Sequence, residues 1–255
     1  MDIISVVSAK GGVGKSTLTA NLAVALRTRG YSVLAVDTDP QNSLHFHFSF
    51  RLKSDQGLVH AAHSDHSVQH LISPTPAGVD LLAYGHCTES QRADFEHVLN
   101  RSPDWLVRSL HNLQPRYDLI LLDTPPGASS YLAQALSAST LVAGVTLADA
   151  GSYVTLPQLQ SLVDTYCLPQ RHFKGFGIIV NQVDQNKPLN RDVVSMVRAS
   201  FGESVMGLIH LDQAVSEALA YGQDLFQYAP HSEAARDIAV CADWINRALS
   251  VVKVA

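Results

Sequence analysis

At 255 residues and 46% apolar content, the chain is long enough to bury one sizeable core. Its formal net charge of −5, from 18 Lys and Arg against 23 Asp and Glu, argues against a surface coated for nucleic acid or anionic lipid. Cys87, Cys167 and Cys241 stand far apart with no CxxC pair, which suggests neither a disulfide framework nor a zinc or iron–sulfur site and fits a reducing cytoplasm.

Met1 to Val7 carries an acid where a secretory leader needs a basic region, and no later run approaches the length of a membrane span, so a cytoplasmic protein is expected. Ile3 to Val7 reads as a first strand. The stretch "SAKGGVGKST", residues 8 to 17, follows it, and Leu18, Leu22, Ala25, Leu26 and Arg29 then recur at helical spacing before Gly30. Val33 to Val36 is a second strand, opening "VLAVDTDPQNSL" over residues 33 to 44. "HFHFSF", residues 45 to 50, alternates like a strand with a phenylalanine face, suited to core or dimer packing, with a partner-binding patch as the alternative. Residues 45 to 90 are the least regular part and read as surface elaboration. Within them His60, His63, His66 and His70 are spaced for a shared helix face, but with Asp65 as the one close acid they read as solvent-facing or capping residues, not metal ligands.

Helices are expected over 91–100 and 104–113, and "YDLILLDTPPG", residues 117 to 127, is a strand whose apolar residues do not alternate, as suits burial on both faces. Strands at Thr140 to Val145, Phe176 to Val180 and Val205 to Ile209 alternate with helices at 152–166, 190–201, 213–221 and 232–249. This alternation predicts an α/β fold: a doubly wound, mostly parallel sheet with helices on both faces, as one domain over 1–255.

A glycine loop between a strand and a helix lets backbone N–H groups converge on phosphate oxygens at the positive helix end. Gly11, Gly12, Val13 and Gly14 supply that cradle, Lys15 neutralises β and γ phosphates, Ser16 offers a hydroxyl to Mg²⁺ and Thr17 is placed for the α phosphate. Ala9 replaces the first glycine of the common pattern, leaving the variant K-G-G-x-G-K-[ST].

This loop resembles the deviant Walker A motif of the ParA/MinD family of dimerising P-loop ATPases, of the SIMIBI class, and the resemblance continues in family order to about residue 220. It implies ATP and Mg²⁺ as ligands. Residues 33 to 44 resemble switch I, with Asp37 steadying the Mg²⁺ shell and Asp39 orienting the attacking water. Residues 117 to 127 resemble a Walker B strand and switch II, with Asp123 holding a metal-bound water. "GIIVNQVD", residues 177 to 184, places Asn181 where the family reads the adenine edge. "GLIHLDQAVSEAL", residues 207 to 219, resembles the loop closing over the base, bringing in His210, where a proline is usual, and Asp212. Lys10 matches the signature lysine that reaches across a homodimer to the partner's phosphates, so the resemblance assigns Lys10, Lys15 and Asp39 to catalysis.

Within the family the chain most resembles the members encoded with bacterial cellulose synthesis and secretion, through residues 79 to 85 and 208 to 245. That implies slow hydrolysis, an ATP-sandwiched homodimer, cellulose secretion subunits as partners and recruitment to the cell pole or inner membrane. A DNA-partitioning ATPase or a membrane-cycling cell-division regulator is the alternative. From residue 200 onward only Arg236, Arg247 and Lys253 are basic, so neither a membrane-binding tail nor a DNA-binding cluster is expected.

Overall fold

The structure, a computed structural model, describes residues 1–62, 68–113 and 115–250. Its elements in chain order begin with β1 (Asp2–Val7), α1 (Lys15–Arg27), β2 (Val33–Asp37), a 3₁₀ turn (Leu44–Phe48), α2 (Leu58–Ala61), β3 (Ser73–Pro74) and β4 (Asp80–Leu82). Next come α3 (Glu89–Arg101), α4 (Trp105–His111), β5 (Leu119–Asp123), α5 (Ser130–Ala138), β6 (Leu141–Leu147), α6 (Ala150–Tyr153) and α7 (Leu156–Tyr166). The chain continues through β7 (Gly175–Val183), α8 (Pro188–Phe201), β8 (Val205–His210), α9 (Gln213–Ala220), α10 (Leu225–Tyr228) and α11 (Glu233–Ser250).

The strands form one sheet in the order β3-β4-β2-β5-β1-β6-β7-β8, parallel throughout except for the β3–β4 pair. Because successive side chains point to opposite faces, each unbroken apolar run feeds two cores. In β5, Leu119 and Leu121 join Ile4, Val6, Leu22 and Leu26 beneath α1 and α11. Ile120 and Leu122 instead join Leu34, Val36, Phe95 and Leu110 beneath α3, α4 and α5. The doubly wound sheet expected from sequence is therefore the observed one.

Four expectations change in detail. The helix expected over 152–166 is two helices, broken at Val154 and Thr155, with Pro157 in the first turn of α7, where its missing N–H costs nothing. "HFHFSF" is not a strand: the Asp37 carboxylate accepts the Leu44 N–H at 3.0 Å and draws the chain into a 3₁₀ turn that ends at Ser49, with φ 53°. In that turn Phe46 and Phe48 no longer share a face, so Phe48 enters the core while Phe46 is 62% exposed. Residues 45–90 do more than decorate the surface, since β4 adds to the sheet beside β2 and delivers Leu81, Leu82 and Tyr84 to the interior. Helix α5 was not among the expected elements. Of the four histidines, His60 caps α2 by accepting the Gly57 N–H at Nδ1, 3.1 Å, and His70 is exposed, whereas His63 and His66 lie outside the described residues.

The segment leading into α2 is held by backbone pairing to the chain after β4. Leu58 N–H donates to Ala83 O at 2.9 Å and Val59 N–H to Tyr84 O at 3.0 Å. A Cβ on Gly57 would stand 2.5 Å from both Ala83 O and Gly85 N, atoms that cannot swing aside. Gly57→Ala is therefore expected to cost about 1–3 kcal/mol in chemical denaturation. Gly175→Ala, whose nearest neighbour would be Leu141 Cδ1 at 3.8 Å, should stay within about 0.5 kcal/mol.

Candidate functional site

The loop after β1 turns on two left-handed glycines, Gly12 at φ 74° and Gly14 at φ 91°. Its conformation is pegged from three sides. Ser8 Oγ donates to Lys10 O at 2.6 Å, Gly127 N–H donates to Ser8 O at 3.0 Å, and Asn181 Nδ2 donates to Val13 O at 2.8 Å. A Cβ on Gly14 would lie 2.5 Å from that same Asn181 nitrogen, so close approach as well as backbone sign demands glycine there. Gly14 is the N-cap of α1 and supplies no side-chain cap, which leaves the first-turn N–H groups to face an anionic ligand at the positive helix end. Thr17 lies half-buried on that turn, its carbonyl accepting Asn21 Nδ2 at 2.8 Å.

Under the loop the sheet brings two acids side by side. β2 and β5 run in register so that Asp37 pairs with Asp123, and both side chains are buried. Asp37 accepts the N–H groups of Asp39, at 2.9 Å, and Leu44. Burial raises its pKa well above the usual carboxylate range, with the Asp123 charge adding to the effect. Burial likewise pushes Asp123 up to about 6, against hydrogen bonds from Ser16 and Thr19 and the charge of Lys15. Lys15 is itself buried, which lowers its pKa, while Asp123 and Asp39 act in the opposite direction. Asp39 sits half-buried above the pair, with one oxygen accepting Gln41 N–H at 2.9 Å.

These residues fit a small divalent cation. Two buried carboxylates and the Ser16 hydroxyl are hard oxygen donors, and Asp123 Oδ2 has no hydrogen-bond partner among the described residues. A buried polar atom of that kind costs about 1–3 kcal/mol until it is paired.

Lys15, Ser16, Asp37, Asp39 and Asp123 thus form one cluster, but Lys10 stands apart. Its ammonium lies 2.7 Å from where a Cβ on Gly151 would be, beside Asp149 at the start of α6. There, against the effect of burial, hydrogen bonds from Ser152 and the charge of Lys10 hold the Asp149 carboxyl below its usual range. His210 ends β8 and Asp212 lies in the loop between β8 and α9, and both side chains are engaged in holding that loop. The Asp237 carboxylate accepts the His210 N–H at 2.9 Å and meets its Nδ1 at 2.8 Å. Asp212 accepts the N–H groups of Ala214, at 2.9 Å, and Ala234, at 3.1 Å, so it caps α9 and anchors α11.

Sequence reasoning missed the threonines that peg the strand ends. Thr38 Oγ1 donates to Asp123 O at 2.6 Å and Thr124 Oγ1 to Val6 O at 2.8 Å, locking β2, β5 and β1 together below the loop. The repeated Asp-Thr dipeptide at the ends of β2 and β5 was the available signal, and the acid after β6 was the corresponding one for Asp149.

A family model described as "Cellulose biosynthesis protein BcsQ" matches residues 1–245. The BcsQ protein of Escherichia coli (strain K12) is 28% identical over 246 residues, covering 96% of this chain and 94% of that one. The chromosome-partitioning ATPase Soj of Thermus thermophilus is 31% identical over 243 residues, covering 91% and 90%. Among solved structures, the septum site-determining protein MinD of Pyrococcus horikoshii OT3, complexed with Mg-ADP, superposes with a TM-score of 0.78 at 24% identity, covering 98% of each chain. That likeness is one of fold.

The buried acids set a pH dependence. Because Asp123 titrates near 6 in the fold and at 3.8 otherwise, the folded chain holds the proton more tightly, and stability is lost as pH rises through that window. The ligand-free protein should therefore show a melting temperature that falls between about pH 4 and 6, Asp123→Asn should flatten the fall, and Mg²⁺ with ADP should oppose it. Thermal melts across that range decide it.

Proposed function

The chain belongs to the BcsQ family, within the ParA/MinD ATPases, and from that premise we propose that it is a slowly hydrolysing, ATP-driven dimeric switch controlling assembly of the bacterial cellulose synthesis and secretion machinery. The observation that carries this reading is the cluster of Lys15, Ser16, Asp37 and Asp123 beneath an α1 N-terminus that has no side-chain cap. The whole of 1–255 acts as one ATPase unit.

In this reading the triphosphate lies along Gly11 to Thr17, with backbone N–H groups and Lys15 on the β and γ phosphates. Mg²⁺, when bound, supplies charge neutralisation of the phosphates. Ser16, Asp37 and Asp123 hold that ion, and the proximity of two buried negative charges explains why the site favours a dication. Asp39 stands above them to orient water, a task of position more than of basicity. Asn181 braces Val13 and faces the base, while His210 and Asp212 fix the loop that covers it.

Lys10 is the dimer element. Its place beside its own Asp149 keeps it out of its own phosphate site, leaving it to serve the phosphates of the second subunit. The output is a change of assembly and not a product, so slow turnover suits it. Cellulose secretion subunits are the partners, and they recruit an otherwise cytoplasmic protein to the pole or inner membrane. The described residues contain no helix long and apolar enough to cross a membrane. The 31% identity to Soj favours DNA partitioning as a second reading, which requires an ATP-dependent DNA affinity falling steeply with salt.

Two experiments follow. Lys10→Ala should bind ATP as a monomer yet lose dimerisation or hydrolysis, whereas Lys15→Ala should lose nucleotide affinity by tenfold or more, measured by calorimetry and light scattering. Identical behaviour of the two would overturn the division of labour. Asp39→Ala, purified from its native cell, should be an ATP-bound dimer carrying cellulose secretion subunits; recovery of DNA or a cell-division protein would reject the assigned process and leave the ATPase intact.

A further inference from the structure

A cavity of about 740 Å³ opens between the 3₁₀ turn at Leu44–Phe48 and the C-terminal end of α9. Phe46, His47, Phe50 and Arg51 line one side and Leu219 the other, with His45 buried among them. Phe46 and Leu219 are 62% and 41% exposed, two large apolar side chains facing solvent across one groove. Among the described residues, Arg51 is the one lining residue with a fixed charge, and no acid lines the groove, in a chain whose net charge is −5. Burial lowers the pKa of His45 and takes His47 to about 4, so both imidazoles are neutral at physiological pH.

His45 is 7% exposed and lies against Phe46, with ring centroids 3.9 Å apart, so this wall is built from packed rings.

Both walls are wired to the site described above. The Leu44 N–H, at the start of the turn, donates to the Asp37 carboxylate, so the wall that carries Phe46 hangs from Asp37. The opposite wall is the end of α9, whose first turn is capped by Asp212 in the loop after β8.

We propose that this groove is the docking site for an amphipathic, acidic helix of a partner protein, and that nucleotide binding sets its shape through Asp37 and Asp212. The apolar face of such a helix fills the space between Phe46 and Leu219, and a carboxylate at its edge meets Arg51. The nucleotide dependence rests on the function proposed above; the docking surface itself does not.

The test is Phe46→p-benzoylphenylalanine in the full-length chain, expressed in its native cell, irradiated, and the adduct sequenced by mass spectrometry. Position 46 is exposed, so the replacement leaves folding intact, which a melting curve checks. The expected adduct is a segment of another protein with apolar residues three and four apart and a net negative charge. Its yield should fall tenfold or more with Arg51→Glu and with Lys15→Ala. An adduct with a second copy of this chain, with lipid or with a basic segment overturns the proposal, as does no adduct at all. An adduct insensitive to Lys15→Ala overturns the nucleotide coupling. ATP binding by the same protein, measured separately by calorimetry, shows whether a failure belongs to the groove or to the nucleotide reading.

Discussion

Two carboxylates placed side by side in a buried sheet are an unfavourable arrangement, and much of this structure can be understood as accommodating it. Asp37 and Asp123 are neighbours across β2 and β5, each removed from water, and Lys15 is the cation buried with them. Burying like charges together costs more than one lysine returns. Both carboxyls accordingly hold their protons more tightly than free carboxyls do.

The scaffold around the pair is correspondingly rigid. Parallel strands end at one level, threonines after each acid tie the ends to their neighbours, and Asn181 fixes the glycine loop from the far side of the sheet. Only the segments beyond those pegs are free to respond. The segment after β2 hangs from Asp37 by two backbone N–H groups, and the loop after β8 hangs from Asp237 and Asp212. Few hydrogen bonds thus join the buried acids to the surface segments, and each of them can be removed singly.

Much of this was legible in the chain because parallel strands buried on both faces leave unbroken apolar runs, and because phosphate chemistry needs glycines at fixed spacing. The six longer strands, β1, β2 and β5 to β8, and the order of the motifs could be read that way. Where the reading failed, tertiary contacts overrode local pattern. The alternation of "HFHFSF" is genuine, yet a single carboxylate seven residues upstream of Leu44 bends it into a 3₁₀ turn. β3 and β4 are too short to announce themselves, and α5 hides in a stretch rich in serine and alanine. Lys10 illustrates a different gap: its sequence position is informative, but its resting place beside Asp149 depends on where β6 ends relative to β1, which only the register supplies.

The far edge of the sheet has a consequence of its own. β3 is two residues long, runs against the grain of its neighbour, and ends in Pro74, which has no N–H to offer. Exposed strand edges invite identical chains to pair edge to edge into fibres, and a stub of this kind blocks that route. Copies of this protein are thus steered away from open-ended stacking on that side.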